Sequence, residues 1–296
     1  VIHVIDAVLL PTEDDPNSGT IADVATASGN FTTLLGALAA TGLDTTLADA
    51  SGKFTVFAPT DDAFARIDTS GLTNDELKDV LLYHVISGAE VNAAAATAIA
   101  GNTVVMGNSD EMALSLTGTE LFANLSGISA PNVDASNGII HVIDTVLLPP
   151  AEAAAPTLNI VETAQANADL STLVTALLAT SDLVSTLSDP NGDFTVFAPT
   201  NDAFAALPAG TLSTLLADPD GILRDILLKH VVAGSVDSVT AFTLNGTEVP
   251  TVNGENVEIA IDSGKFTIDG AQVTIFDIPA TNGIIHVIDA VITLDP

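Results

Sequence analysis

Few side chains in this sequence suit chemistry. Five histidines (His3, His84, His141, His230, His286) titrate near neutrality, there is no cysteine, and 38 acidic residues stand against 6 lysines and arginines. A nucleophilic site needs a hydroxyl or thiol beside a base that is itself oriented by an acid. No Gly-x-Ser-x-Gly turn occurs, and no His-x-x-x-His pair is present to hold a metal. His84 and His230 end apolar helical patterns, and His141 and His286 alternate with isoleucines. In such places an imidazole ordinarily satisfies a buried backbone group. The carboxylates are equally plain. Asp189-Pro-Asn-Gly-Asp193 opens like a calcium loop, but its glycine comes one place early and no glutamate stands at the twelfth position. The other copy of this stretch, Asp49-Ala-Ser-Gly-Lys53, puts a cation where a ligand would sit, so both read as turns. The chain reads as a non-enzyme with no cofactor and no discrete metal site, calcium gathering at most diffusely.

The charge narrows the partners. A formal −32 excludes the phosphate backbone of nucleic acid and is repelled by anionic membrane surfaces. No apolar run reaches the roughly 20 residues of a membrane span. With 47% hydrophobic residues the chain can bury a core. Two accounts of the acidity stand side by side: solvation in a saline habitat, and a surface that collects divalent cations. Zero cysteines rule out disulfides and suit an exported prokaryotic protein.

What positions these residues is a repeat. Phe54-Thr-Val-Phe-Ala-Pro-Thr-Asp-Asp-Ala-Phe64 recurs with one change as Phe194-Thr-Val-Phe-Ala-Pro-Thr-Asn-Asp-Ala-Phe204. Asn137-Gly-Ile-Ile-His-Val-Ile-Asp144 recurs unchanged as Asn282-Gly-Ile-Ile-His-Val-Ile-Asp289, and a third copy of the closing motif starts the chain at Val1. Internal periodicity of this kind indicates stacked or tandem units. The sequence divides into the tail of a preceding repeat (1–13), a first unit (14–149), a Pro-bracketed linker (150–156) and a second unit (157–296), and reads as a piece of a longer multi-repeat protein. The orphan tail is apolar and strand-like, so it is expected to dock on the first unit or on a neighbouring molecule.

Within a unit, Leu34, Leu35 and Leu38 (Leu173, Val174 and Leu177 in the second) mark a helix, with Asn30 as one choice of N-cap. Asn30 also opens one of three glycosylation sequons, with Asn124 and Asn245. Thr60 caps a helix start to which Asp61-Asp62 are suited, and Thr73-Asn-Asp-Glu76 is a capping box. It opens a helix with the apolar face Leu77, Val80, Leu81, His84, matched by Leu223, Ile226, Leu227, His230. Alternation at Val257, Ile259 and Ile261, then Phe266 and Ile268, then Val273 and Ile275 predicts antiparallel strands joined at Asp262–Lys265 and Asp269-Gly270. The Asn-Gly-Ile-Ile-His-Val-Ile run is apolar on both faces, which predicts a central covered strand. Helices first and strands afterwards give an α+β class.

The Phe-Thr-Val-Phe-Ala-Pro-Thr box, the Tyr83-His84 and Lys229-His230 pairs, and the closing box together resemble the fasciclin (FAS1) family over both units. The resemblance implies two tandem domains, each a β-sandwich or wedge of about seven strands with flanking helices. It also implies a secreted or cell-surface adhesion protein that contacts proteins or polysaccharides of a surface or matrix, and neighbouring repeats. It points to the Tyr-His region and an Asp-Ile element before the closing box as partner-binding segments, here Tyr83, His84, His230, Asp277 and Ile278. The first unit has Asn132-Val133 where the second has Asp277-Ile278, and Lys229 replaces the tyrosine in the second. A module that binds a small apolar ligand or polysaccharide is the alternative, and a scaffold for an enzyme elsewhere in the parent protein is a third reading.

Overall fold

The computed structural model describes residues 19–67, 69, 71–150, 155–262 and 264–294. The orphan copy of the closing motif, with its expected docking, and most of the linker lie outside them. The chain divides into two compact units. Each repeat builds a sheet from seven strands. In the first these are β1 (Phe54–Pro59), β2 (Val85–Ser87), β3 (Asn102–Val105), β4 (Glu111–Thr117), β5 (Glu120–Ala123), β6 (Ser126–Ala135) and β7 (Gly138–Ile143). In the second they are β8 (Phe194–Pro199), β9 (Val231–Ala233), β10 (Thr247–Pro250), β11 (Asn256–Asp262), β12 (Lys265–Ile268), β13 (Ala271–Ala280) and β14 (Gly283–Ile288). The order is β2-β1-β7-β6-β5-β4-β3, and the second repeat has the equivalent order β9-β8-β14-β13-β12-β11-β10.

The two repeated boxes are therefore neighbours. Strand β1 runs parallel to β7 from Phe54 opposite Gly138 to Pro59 opposite Ile143, and β8 runs parallel to β14 in the same register. The closing strand is central and covered, as its two apolar faces require. The sequence pattern showed antiparallel strands, and β13–β14 are antiparallel, but it gave no sign of the parallel partner. Parallel pairing needs a long crossover, and here almost the whole domain lies between the two strands.

Local chemistry fixes the ends of the strands. At Gly138 φ is 152°, and at Gly283 it is 147°. A Cβ at either would clash with the backbone of Phe54 or Phe194, so only glycine lets the parallel pair start. Asp269 and Gly270 both have positive φ, 52° and 82°, the geometry of the tight hairpin turn that Asp-Gly specifies. Ile268 pairs with Ala271 across it.

The asparagine before each closing strand ties three elements together. Asn137 Oδ1 accepts from Ile21 N at 2.8 Å, at the start of the helix Ile21–Ser28. Its Nδ2 donates to Leu47 O at 2.8 Å and Asp49 O at 2.9 Å. Asn282 repeats the set with Ile160 N (2.9 Å), Leu187 O (2.8 Å) and Asp189 O (3.2 Å). Both side chains are buried. The calcium-like stretches are turns, with Asp49 and Asp189 each accepting from the backbone N–H two residues on, at 2.9 Å.

The helix Thr32–Thr41 buries Leu34 and Leu38, as its pattern required, but Asn30 does not cap it. Its N-terminus is capped across the fold. Asp61 Oδ1 accepts from Thr33 N at 2.7 Å, and Oδ2 accepts from Thr32 N at 3.2 Å and Thr32 Oγ1 at 2.8 Å. These bonds, led by the Thr33 N–H, lower the Asp61 carboxyl to about 2. Asn201 takes the same place in the second repeat, accepting from Thr172 N at 2.8 Å. The one changed position in the first box is thus a cap that needs an oxygen and not a charge. Thr60 and Thr73 cap their own helices as the sequence indicates. Among the described residues no helix is long and apolar enough to cross a membrane.

Asn282→Ala would leave one donor and two acceptors buried without partners. It should lower the stability of the second repeat by on the order of 3 kcal/mol, read as a lower urea midpoint with unchanged slope.

Candidate functional site

The histidine of each Tyr-His or Lys-His pair stands just after a helix whose last turn it closes. His84 Nδ1 donates to Val80 O at 2.7 Å, and its Nε2 accepts from Leu147 N at 2.9 Å. His230 does the same with Ile226 O (2.7 Å) and Ile292 N (3.0 Å). One nitrogen donates and the other accepts, so both rings are held neutral with the proton on Nδ1. Each pins its helix to the segment just beyond the closing strand. Their relative exposures are 1% and 2%, and burial lowers both to about 4.

The second pair of histidines sits opposite a fold-specific irregularity. In β6 the register shifts between Ala130 and Val133, and in β13 between Ile275 and Ile278, each a bulge with one residue in excess. Asn132 and Asp277 occupy these bulges with φ of 60° and 56°. Their N–H groups leave the ladder and reach His141 Nδ1 at 3.4 Å and His286 Nδ1 at 3.3 Å. The other ring nitrogens donate to Val91 O at 2.7 Å and Val236 O at 2.9 Å. Burial lowers the pKa of both histidines, opposed at His286 by the Val236 carbonyl and by Asp277 and Asp237.

The bulge also aims a side chain. Asn132 Oδ1 accepts from Ala93 N at 2.7 Å, at the start of the helix Ala93–Ala98. Asp277 Oδ1 accepts from Ser238 N at 2.8 Å at the start of Ser238–Thr243, and its Oδ2 accepts from the Ser238 hydroxyl. The Asn-for-Asp difference between repeats therefore keeps the cap while changing the charge.

Of the five residues singled out for partner binding, Tyr83, His84 and His230 are interior, with no surface to offer. Asp277 and Ile278 lie beside each other in β13, both part exposed. Lys229, in the tyrosine's position, is fully enclosed with Glu255 and Asp269 at 3.1 and 3.3 Å. The described histidines have both ring nitrogens on backbone atoms, which leaves none free to act as a base on a hydroxyl. Among the described residues no group of His, Asp or Glu is gathered to hold a metal. Sequence reasoning passed over Asn137, Asn282 and the threonine pair Thr55 and Thr195. Thr195 Oγ1 donates to Gly234 O at 2.7 Å and accepts from Val236 N at 2.8 Å, and Thr55 bonds likewise to Ala89 and Val91. Their identity in both copies was the available signal.

The Fasciclin domain profile matches residues 29–149 and 168–294. The chain belongs to the fasciclin domain family. It is similar to Protein sll1483 from Synechocystis, 48% identical over 136 residues, covering 46% of this chain and 73% of that protein. It is also similar to transforming growth factor-beta-induced protein ig-h3 of Sus scrofa, 28% identical, covering 82% of this chain and 35% of the relative. Human periostin is 30% identical, covering 83% of this chain and 29% of the relative. The chain thus spans about a third of the length of the latter two relatives. A FAS1 domain pair from the insect cell adhesion molecule fasciclin I aligns over 90% of this chain with a TM-score of 0.43 and 18% identity. This chain has two tandem α+β domains, each a seven-stranded sheet with flanking helices.

The lowered histidines make stability depend on pH in a stated direction. From pH 6.5 down to about 4, the unfolded chain binds protons that His84 and His230 in the folded chain do not. Their contribution is complete above 6.5 and is lost toward 4, at about 1.4 kcal/mol per pH unit for each. Denaturation midpoints measured across this range should fall with acidity, and His84→Ala or His230→Ala should cost roughly 1–3 kcal/mol at neutral pH.

Asp277→Asn should leave the melting temperature of the second repeat within about 2 °C, whereas Asp277→Ala, which removes the acceptor for Ser238 N and leaves the helix only its own N-cap Asp237, should lower stability by about 1 kcal/mol.

Proposed function

We propose that this chain is an extracellular adhesion module of a multi-repeat surface or matrix protein, contacting a protein or polysaccharide partner. The observation that carries the reading is that the polar groups repeated in both fasciclin domains are committed to caps, bulges and pins. Their chemistry is used to hold a shape, and the shape is what two domains in tandem present. Tandem units suit reach and multivalent contact better than catalysis, and the reading is accordingly non-catalytic. The module functions without a bound cofactor, with cations gathered diffusely round its acidic surface, and its place is secreted or at a cell surface.

In this reading the partner contact runs through Asp277 and Ile278, the part of the family's binding segments that solvent reaches. Asp277→Asn is a clean probe, because Asn132 already performs the cap in the first repeat. Beads coated with the chain should attach to intact cells or matrix of the source. Beads carrying Asp277→Asn with Ile278→Ser should attach at least about tenfold less, the loss expected for a contact hot spot. Attachment no greater than that of beads coated with an equally acidic control protein would defeat the adhesion reading.

One feature favours the ligand-binding alternative. An open groove of about 390 Å³ is lined by Phe204, Leu207, Pro208, Leu212 and Leu216, within the size range of small-molecule sites. Saturable uptake of a fluorescent apolar probe, abolished by Leu212→Asp, would support that reading; partitioning without saturation would count against it.

A further inference from the structure

Asparagine followed by glycine is the pair most open to self-modification, because glycine has no side chain to shield its amide nitrogen from the asparagine carboxamide. The pair occurs five times, at Asn137, Asn191, Asn245, Asn253 and Asn282. The fold holds four of these by the side chain. Asn137 and Asn282 are buried, and each binds three backbone groups. Asn245 Oδ1 accepts from Ile261 N at 2.7 Å, and the N–H of Gly246 donates to Ile259 O at 2.7 Å. Asn253 Oδ1 accepts from Glu255 N at 2.9 Å and from the Thr251 hydroxyl at 2.6 Å. Asn191 is different. It is exposed in the turn 189–193, its Nδ2 reaches Asp189 Oδ1 at 3.3 Å, and among the described residues nothing donates to its Oδ1. Gly192 N donates to Asp189 O at 3.0 Å, within the same turn. That turn lies at the surface, where local opening is frequent.

The surroundings of the turn make its backbone length matter. Asn282 Nδ2 donates to Asp189 O at 3.2 Å, and Phe194 N donates to Asn282 O at 3.2 Å. The turn is thus held at both ends by the residue that precedes the closing strand β14. Glycine is needed at 192, since a Cβ there would stand 2.5 Å from the Phe194 ring. The first repeat keeps the glycine, Gly52, but has Ser51 before it. Ser51 N donates to Asp49 Oδ1 at 2.9 Å, as Asn191 N does to Asp189 Oδ1 at 2.9 Å, so serine builds the same turn without a carboxamide.

We propose that Asn191-Gly192 is a spontaneous modification site at which the second repeat ages before the first. In the step, Gly192 N loses its proton and bonds to Asn191 Cγ while the Cγ–Nδ2 bond breaks and ammonia leaves, giving a succinimide. Water then adds to one of the two ring carbonyls. Opening at Cγ gives aspartate, and opening at the main-chain carbonyl gives isoaspartate, in which the chain runs through Cγ. The net change is water in and ammonia out, with no redox partner. Isoaspartate lengthens the main chain by one carbon between Asp189 and Phe194, the two points that Asn282 holds, and so loosens the start of β14.

The test keeps the intact chain in mildly alkaline buffer and digests samples at intervals for peptide mass, with isoaspartate identified by an isoaspartyl methyltransferase. The peptide holding Asn191 should gain the mass of deamidation at least about tenfold faster than those holding the other four pairs. Hydrogen exchange on the aged sample should show protection lost in β14 relative to β7, two strands of the same sequence and hence of the same intrinsic rates. Asn191→Ser, which installs the first repeat's residue, should keep β14 protected through the same incubation. First gain at another pair, unchanged β14 protection once most of Asn191 is isoaspartate, or equal ageing of Asn191→Ser each overturns the proposal. The comparison of fresh with aged chain needs no substitution, so it decides the matter if the variant does not fold.

Discussion

Each domain depends on the parallel pairing of its first and last strands. That contact joins residues more than eighty positions apart, Phe54 with Gly138 and Phe194 with Gly283, and brings the ends of the fold into one ladder. Loop closure over such a distance is entropically unfavourable, and three local devices offset it. Glycine admits the close approach at the start of the pair, the preceding asparagine ties a helix start and a helix end to the same point, and a histidine pins the segment beyond the closing strand to a helix end. Chain geometry thus explains why two short boxes, far apart in sequence, recur together.

The polar residues of these boxes have a common physical role. A bulge in β6 or β13 frees a backbone N–H that a covered strand cannot leave without a partner, and the imidazole of His141 or His286 takes it. The same bulge turns Asn132 or Asp277 toward a helix start. Burial lowers the pKa of the described histidines, which marks them as neutral acceptors and donors. Groups of this kind often signal catalysis when they face a cleft. Here both ring nitrogens face backbone.

Comparison of the two repeats shows which parts of the design need charge and which need only an oxygen. Asp61 and Asn201 cap the same helix, and Asn132 and Asp277 cap another, so amide and carboxylate exchange freely there. At Tyr83 and Lys229 the exchange is of a different kind, because an enclosed ammonium demands carboxylates, and Asp269 supplies one where Asn124 has none. Two copies of one fold have thereby acquired different interiors on the same frame.

The sequence by itself determined the repeat, the α+β class, the family, the capping boxes, the Asp-Gly hairpin turn and the covered character of the closing strand. Each of these is written in local spacing: apolar period, turn residues and recurrence. The buried roles of His84 and His230 were legible for the same reason, since both end an apolar helix face. What only the tertiary structure decided were pairings between distant segments. That β7 runs parallel to β1, that Asp61 caps a helix about thirty residues before it, and that Tyr83 and His84 have no surface for a partner all depend on three-dimensional closure. The hold of Asp277 on a helix start was not legible, because a bulge leaves no mark in alternation and that helix is not one that sequence spacing brings near. Local propensity acts over a few residues, whereas these contacts are chosen by the packing of the whole domain.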